Sequence, residues 1–263
     1  NGAISQTLTS MTIPMIVGML MLMTFSIVDT FFVSMLGTVQ LAAISFTFPV
    51  TFTVISLNIG LGIGTSAIIG KYIGSGNTQH AKALATGALM LSVLLVGIFA
   101  VVGILSIEFI FTLMGADASL MPFIKAYMVP WYLAGIFLAI PMVGNSVLRA
   151  FGDTKTPSII MATGGGINVI LDPILIFGWG PIPALGIQGA AIATAIAWAV
   201  CVVWILYLLA VKRQLIESRI LRWAEFTVAA KGVLKIGLPA AGANMLTPIA
   251  GGVLTAVVAS YGT

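Results

Sequence analysis

Seven long apolar stretches run through this chain, and they restrict its fold more than any other feature. A helix needs about 20 apolar residues to cross the hydrocarbon core of a bilayer. The predicted spans are 11–36, 41–70, 83–107, 122–148, 156–177, 187–211 and 233–260. Charged residues make up only 7% of the chain and hydrophobic residues 60%, whereas soluble domains are roughly 25% charged. Since no strand alternation persists, the sequence predicts an all-α integral membrane protein.

Basic residues mark one side of the predicted membrane. Only Lys125, near Glu108 and Asp117, falls on the other side. By the positive-inside rule the basic side is cytoplasmic, and the N-terminus begins inside. The basic residues do not gather on one folded surface, so we expect no nucleic-acid partner. The ten residues on the basic side are Lys71, Lys82, Arg149, Lys155, Lys212, Arg213, Arg219, Arg222, Lys231 and Lys235.

A pattern shared by the first and seventh spans indicates an internal repeat. At an offset of 225 residues Pro14 aligns with Pro239, and a Gly-Thr pair follows each proline at the same spacing. Both spans run outward, so the repeats would be parallel and related by an axis along the membrane normal. We therefore expect a six-helix lobe at 1–211, a cytoplasmic linker at 212–232 and the first helix of a missing second lobe at 233–263.

Two acids stand within the predicted spans, where a charged side chain is costly unless it faces a partner or a cavity. Asp29 and Asp172 lie on helices that both run outward, and a rise of about 1.5 Å per residue places them at nearly the same height. Asn168 lies one turn below Asp172 on the same face. Thr194 reaches this layer from a helix that runs the other way. Because Asn or Ser would join helices at less cost, the matched acids indicate a functional site.

Pro173 directly follows the second acid. Proline donates no backbone hydrogen bond, so the carbonyl of Val169 is left free and the helix can bend there. Carboxylates, an amide, a hydroxyl and a free carbonyl form a hard-oxygen set that can hold a small cation or a shared proton. The predicted cation site comprises Asp29, Asn168, Asp172 and Thr194.

Several motifs together resemble the multidrug and toxic compound extrusion (MATE) family. They are the acid of the first span, "LRAFGDTKTPS" between spans four and five, "NVILDP" in span five, "GAAIAT" in span six and "KIGLPA" opening span seven. The resemblance covers essentially the whole chain. It implies a multi-pass antiporter of the cell inner membrane, with twelve helices in two six-helix lobes. Such proteins export organic cations and other drugs in exchange for Na+ or H+.

The resemblance also places the family's N-lobe cation site on the four residues identified above. It implies that the chain is not an enzyme and needs no cofactor, with Na+ or H+ as the coupling ion. The expected partners are a small-molecule drug or metabolite, the lipid bilayer and the missing second lobe.

Other functions fit parts of the sequence. A flippase for lipid-linked precursors is the main alternative, but its cavity should carry basic residues for a pyrophosphate, and the middle of the spans has none. A receptor or scaffold would leave the paired acids without a role. "GLGIGTS" (60–66) is interpreted as small-residue helix packing rather than a phosphate loop. Cys201 is interpreted as lipid-facing or packing, and 213–226 as an amphipathic inner-leaflet helix or a plain linker.

Overall fold

The protein is a bundle of long helices in the part of the chain that is described. A computed structural model describes residues 27–219 and 221–259, together with Thr9, Thr12, Ile13, Ile16, Gly18 and Leu20. Six of its helices are long and apolar enough to cross a membrane, so the predicted all-helical membrane fold is confirmed. The helices are α1 (27–34), α2 (Thr38–Gly74), α3 (Thr78–Leu105), α4 (Ile107–Leu113), α5 (Met121–Ala150), α6 (Lys155–Phe177), α7 (Ile187–Tyr207) and α8 (Trp223–Ala259).

Five predicted spans agree with α2, α3, α5, α6 and α7 to within a few residues. The short helix α4 was not predicted, because seven residues are too few to show a helical period. Eleven residues of the first predicted span, 11–36, lie outside the described residues, including all of 21–26. So do Pro14 and the second Gly-Thr pair of the proposed repeat, and the repeat stays a prediction.

The segment that follows α7 differs from its prediction. A π-helical turn, Leu208–Lys212, ends α7. Residues 213–219 form no helix, so of the two interpretations given for 213–226 the linker agrees with this part of the segment and the amphipathic helix does not. Helix α8 begins at Trp223, ten residues before the predicted span. The prediction began after the charged residues, but a helix can continue into the polar region at the membrane surface. There the Glu225 carboxylate accepts a hydrogen bond from the Arg222 N–H at 2.9 Å, which caps the helix. The predicted domain limits remain predictions.

Helix α7 packs against both α5 and α6, and α8 packs against α2 and α3. Gly60 and Gly64 of "GLGIGTS" lie against the backbone of α8, since a methyl group on Gly64 would lie 2.4 Å from the Val233 carbonyl oxygen. Gly62 lies against Ser146 of α5 instead. The predicted helix-packing role of this motif is thus confirmed. Cys201 is buried, and its Sγ lies 3.6 Å from the Ile160 carbonyl oxygen, so of its two interpretations the packing role is the right one.

Candidate ion-binding site

Helix α6 is buried along a single stripe of residues, and this stripe contains two polar side chains. Asn168 and Asp172 have no exposed surface, whereas Ile170, on the opposite face, is 64% exposed. The spacing of three or four residues is that of one helix face. The sequence of α6 therefore turns its amide and its acid into the lobe. The stripe consists of Pro157, Ile160, Gly164, Asn168, Asp172, Leu175 and Ile176.

One amide group connects the acid of α6 to α7. The Asn168 Nδ2 donates hydrogen bonds to Asp172 Oδ1 at 3.2 Å and to Thr194 Oγ1 at 3.3 Å. The Thr194 hydroxyl in turn donates to the Ala190 carbonyl oxygen at 3.0 Å. All three side chains are buried, so these bonds form away from water, where they are stronger than at a surface.

A glycine allows α6 and α7 to approach closely enough for these bonds. A methyl group on Gly189 would lie 2.5 Å from the Leu175 carbonyl oxygen. The loop between the helices also caps the end of α6, with the Leu185 N–H donating to the Leu175 oxygen at 2.9 Å and the Gly186 N–H to the Ile176 oxygen at 3.1 Å. The first residue of "GAAIAT" thus fixes the spacing on which the contact between Asn168 and Thr194 depends.

The second acid approaches from α1. Asp29 is 5% exposed, and its Oδ2 accepts a long hydrogen bond of 3.4 Å from the Tyr127 hydroxyl of α5. The charge of Asp29 acts on Asp172, and the charges of both acids act on the Tyr127 hydroxyl. The structure therefore brings all four predicted residues into one buried region. Three are joined by hydrogen bonds, and Asp29 joins them through its charge.

Sequence reasoning missed Tyr127, although depth would have identified it. The residue lies six positions after the start of α5, or roughly 9 Å along the helix. Thr194 lies seven positions after the start of α7, or roughly 10 Å along it. The prediction considered acids and their immediate neighbours, and it did not extend the same arithmetic to the tyrosine.

Three oxygens of the site have no hydrogen-bond partner among the described residues: Asp29 Oδ1, Asn168 Oδ1 and Asp172 Oδ2. Leaving a buried acceptor unpaired costs about 1–3 kcal/mol, and more when it is charged. Neither acid forms a salt bridge within the described part of the chain. The arrangement can therefore accept a proton or a small cation. No group of three His, Cys, Asp or Glu residues gathers among the described residues, which disfavours a transition-metal site.

Pro173 lies inside α6, and the helix continues to Phe177. Because proline has no N–H, it cannot donate to the Val169 carbonyl oxygen. The proline therefore follows the acid directly without ending the helix.

The other end of α6 is held by an aspartate of the "FGDTKTP" motif. The Asp153 carboxylate accepts from the Thr156 N–H at 3.0 Å and from its hydroxyl at 2.7 Å. Arg213, beyond α7, donates to the same carboxylate at 2.8 Å. Desolvation raises the pKa of Asp153, but the hydrogen bonds from Thr156 and the charge of Arg213 outweigh it and hold the pKa below its usual value. This cluster ties the ends of the two site helices together.

The geometry above can be compared with known proteins. A family model described as MatE matches residues 14–174, which is more than half of the chain. The chain belongs to the MatE family. A FAD transporter of Shewanella oneidensis is 43% identical over 259 residues, which cover 98% of this chain and 57% of the relative. The multidrug export protein MepA of Staphylococcus saprophyticus is 27% identical over 251 residues, covering 95% and 55%.

The fold agrees with solved MatE structures. The Vibrio cholerae MATE transporter VcmN in the bent form superposes with a TM-score of 0.86 at 34% identity, covering 98% of this chain and 57% of that one. The chain thus spans about half the length of the relatives it matches, as expected for one lobe and a following helix of a two-lobe, twelve-helix transporter. The names of these relatives describe transport or export. With six helices long and apolar enough to cross a membrane, this member of the MatE family is a multi-pass membrane protein.

Proposed function

We propose that this chain is the ion-coupling lobe of an antiporter that exports small molecules in exchange for Na+ or H+. The observation that carries the proposal is the set of three buried, unpartnered oxygens on Asp29, Asn168 and Asp172. Family membership supports a transport function, and the chemistry of these oxygens supports a cation as the coupling species. The basic side of the bundle is cytoplasmic in this proposal, with the N-terminus inside.

The site offers oxygen ligands only, and such ligands favour a hard cation. Two carboxylates in one poorly solvated region repel each other when both are ionised, and a shared proton or a bound Na+ removes that repulsion. An ion can shift a conformational equilibrium only by its difference in affinity for the two states. Because Asp29 lies on α1 and Asp172 on α6, an ion that both carboxylates hold would favour the arrangement in which these helices are close.

Asn168 is the residue through which ion binding at Asp172 would affect α7. Its Nδ2 already bridges Asp172 and Thr194, so its Oδ1 is the atom left for the ion or for a protonated carboxyl group. Binding at Asp172 would therefore alter the contact between α6 and α7. The proline beside the acid and the free carbonyl of Val169 give α6 a place at which to bend in response.

The substrate class has two candidates. Organic cations and other drugs are the first, as the name of the MepA relative suggests. Export of a flavin dinucleotide is the second, and it is favoured by the 43% identity to a FAD transporter over 98% of this chain. Uptake of FAD and of a fluorescent drug cation into everted vesicles, measured side by side, separates the two.

A flippase remains the alternative from another class. Its pyrophosphate-bearing substrate calls for basic residues at mid-membrane depth. Among the described helices, Lys71 lies in the last turn of α2 and Arg149 in the last turn of α5. Lys231 and Lys235 lie in the first half of α8, also toward the basic side. This distribution supports export of soluble molecules over lipid flipping.

The coupling role is tested in the full-length protein with Asp172→Asn, Asp29→Asn and the double variant. We expect each to abolish efflux with normal expression, and the double variant to be little worse than either single one, because coupled residues act as a unit. Thr194→Ala should be milder, since only one hydrogen bond to Asn168 is lost. Glu108→Gln is the matched control, because this exposed acid pairs with Lys125 on the surface and should keep full efflux.

The same variants distinguish the site from simple helix packing. A packing role predicts that efflux and the amount of folded protein fall in proportion. Normal export with intact ion dependence by well-expressed Asp172→Asn protein would falsify the coupling role. Running the assay with an imposed Na+ gradient and then with an imposed pH gradient identifies the coupling ion.

A further inference from the structure

Helix α8 runs antiparallel along α2 for most of its length. Successive contacts pair Pro49 with Gly252, Ser56 with Asn244, and Gly60 with Ala241, and they continue toward Ile68 and Gly232. By the domain limits predicted from the sequence, α8 is the first helix of the second lobe. On that assignment the α2–α8 pair is a contact between the two lobes.

The pair is tightest at the end of the bundle that carries the basic residues. A methyl group on Gly60 would lie 2.5 Å from the Ala241 Cβ, and one on Gly64 would lie 2.4 Å from the Val233 carbonyl oxygen. Distances below 3.0 Å leave no space for a side chain, so the two backbones touch directly. Val233 and Ala241 are 1% exposed and belong to the buried cluster that also contains Leu61.

The pair loosens toward the other end. A methyl group on Gly252 would lie 3.3 Å from the Pro49 Cβ, and the Ser56 hydroxyl reaches the Asn244 carbonyl oxygen at 3.3 Å. Of residues 242–258 only Pro248 is buried. Helix α8 therefore leaves the lobe gradually as it rises from the basic end.

The start of α8 is held by a non-helical segment, residues 213–219 and 221–222, which we call the strap. The Glu217 backbone N–H donates to the Thr86 hydroxyl at 2.8 Å, and its carboxylate accepts from Gln79 at 2.6 Å. Leu221 is 6% exposed and packs over Gly87. The strap thus keeps the beginning of α8 beside α3, close to the tight part of the α2–α8 pair.

We propose that the glycine-lined crossing of α2 and α8, from Gly60 to Ile68 and from Gly232 to Ala241, is the seal that closes the transporter at its basic end. The seal parts when the central cavity opens to that side, and the strap limits how far it opens. Direct backbone contact excludes water. Because no side chains interdigitate across the contact, none has to change rotamer when the helices separate. This inference rests on the proposed transport function for the direction of the cycle.

The experiment locks the seal with a disulfide in the full-length protein. Ile68→Cys with Gly232→Cys suits this purpose, since a methyl group on Gly232 lies 3.9 Å from Ile68 Cγ1, where a cysteine sulfur would stand. The matched control is Gly62→Cys with Ser146→Cys, where the Cβ atoms would be 3.5 Å apart, within the range for disulfides. The control locks the opposite face of α2 to α5 within one lobe.

We expect oxidation of the seal pair to reduce efflux at least tenfold, reductant to restore it, and the control pair to keep efflux after oxidation. Full efflux with complete crosslinking of the seal pair overturns the proposal, because α8 would then move together with the first lobe. Equal loss in both pairs also counts against it, because the loss would not come from separating α2 and α8.

A second readout does not depend on transport. Val233→Cys lies inside the seal, so N-ethylmaleimide should label it only when the seal parts, and locking the seal pair should slow labelling at least tenfold. The background is the same protein with Val233 intact, which retains buried Cys201. If the disulfide slows labelling of Val233→Cys, but the protein exports nothing even without the disulfide, the seal is supported and the proposed function is refuted. Unchanged labelling in a protein that still exports refutes the seal alone.

Discussion

Gly189→Ala tests whether close contact between α6 and α7 sets the ion site. The added methyl group would lie 2.5 Å from the Leu175 carbonyl oxygen, 2.6 Å from its carbon and 2.9 Å from the Ile176 nitrogen. All three are backbone atoms, so no side chain can rotate away. The helices must separate by about 0.9 Å before the closest contact reaches ordinary van der Waals distance.

Such a separation would break the hydrogen bond between Asn168 and Thr194. That bond is already 3.3 Å long, and a further shift of this size takes it beyond hydrogen-bond distance. Overpacking costs about 1–3 kcal/mol, and the better helix propensity of alanine returns up to about 1 kcal/mol. We therefore expect a net loss on the order of 1–2 kcal/mol in stability, together with reduced efflux.

The assay measures thermal unfolding in detergent and drug efflux in cells. Gly166→Ala is the matched control, since this α6 glycine has nothing within 4 Å of an added methyl group and should be neutral or slightly stabilised. If Gly189→Ala acts through the Asn168 bond, adding Thr194→Ala should reduce efflux little further. A Gly189→Ala protein as stable and as active as its parent would show that the close approach does not position the site.

Three further predictions concern the acid cap, the tyrosine and the topology. Asp153→Asn should lower the melting temperature at pH 7, and this loss should shrink as the pH is lowered below 3.8, because a carboxyl with a lowered pKa contributes stability above its unfolded pKa of 3.8 and loses it as the pH falls through the folded value; a loss that stays the same as the pH falls would contradict this. Tyr127→Phe removes one long bond to Asp29 and should reduce efflux only a few-fold at normal expression, whereas complete loss would assign the hydroxyl a larger role. Cysteines introduced in 178–186 should react with an impermeant reagent on intact cells and those in 71–82 should not, and the opposite pattern would reverse the proposed topology.

Much of the candidate ion site could be predicted from sequence because depth along a helix is a one-dimensional property. The rise per residue places Asp29, Asp172 and Thr194 in one layer once the helix directions are known. The hydrogen bonds of Asn168 follow from its position one turn below an acid. The rise per residue gives the depth of a side chain but not its direction around the helix axis. The pairing of Asp29 with Tyr127 depends on that direction.

The segment after α7 was harder to predict for a different reason. Its alternation of charged and apolar residues suits an amphipathic helix, but tertiary contacts override that local preference. Glu217 is held by Gln79 and Thr86 on α3, residues far away in sequence. The non-helical segment agrees with the plain-linker interpretation and not with the membrane-surface helix. No local pattern encodes the contact with α3, so neither interpretation anticipated it.

The antiparallel pairing of α2 with α8 has a consequence for the synthesis of this protein. The glycine face of α2 enters the membrane early, and its partner is made only after the helices α3 to α7. Until then a shallow groove at Gly60 and Gly64 faces lipid chains, which cannot fill it as closely as a helix backbone does. A nascent chain released before residue 223 would therefore carry α2 as a helix whose glycine face is under-packed. The same glycines that seat α8 against α2 in the finished chain would thus mark an incomplete one.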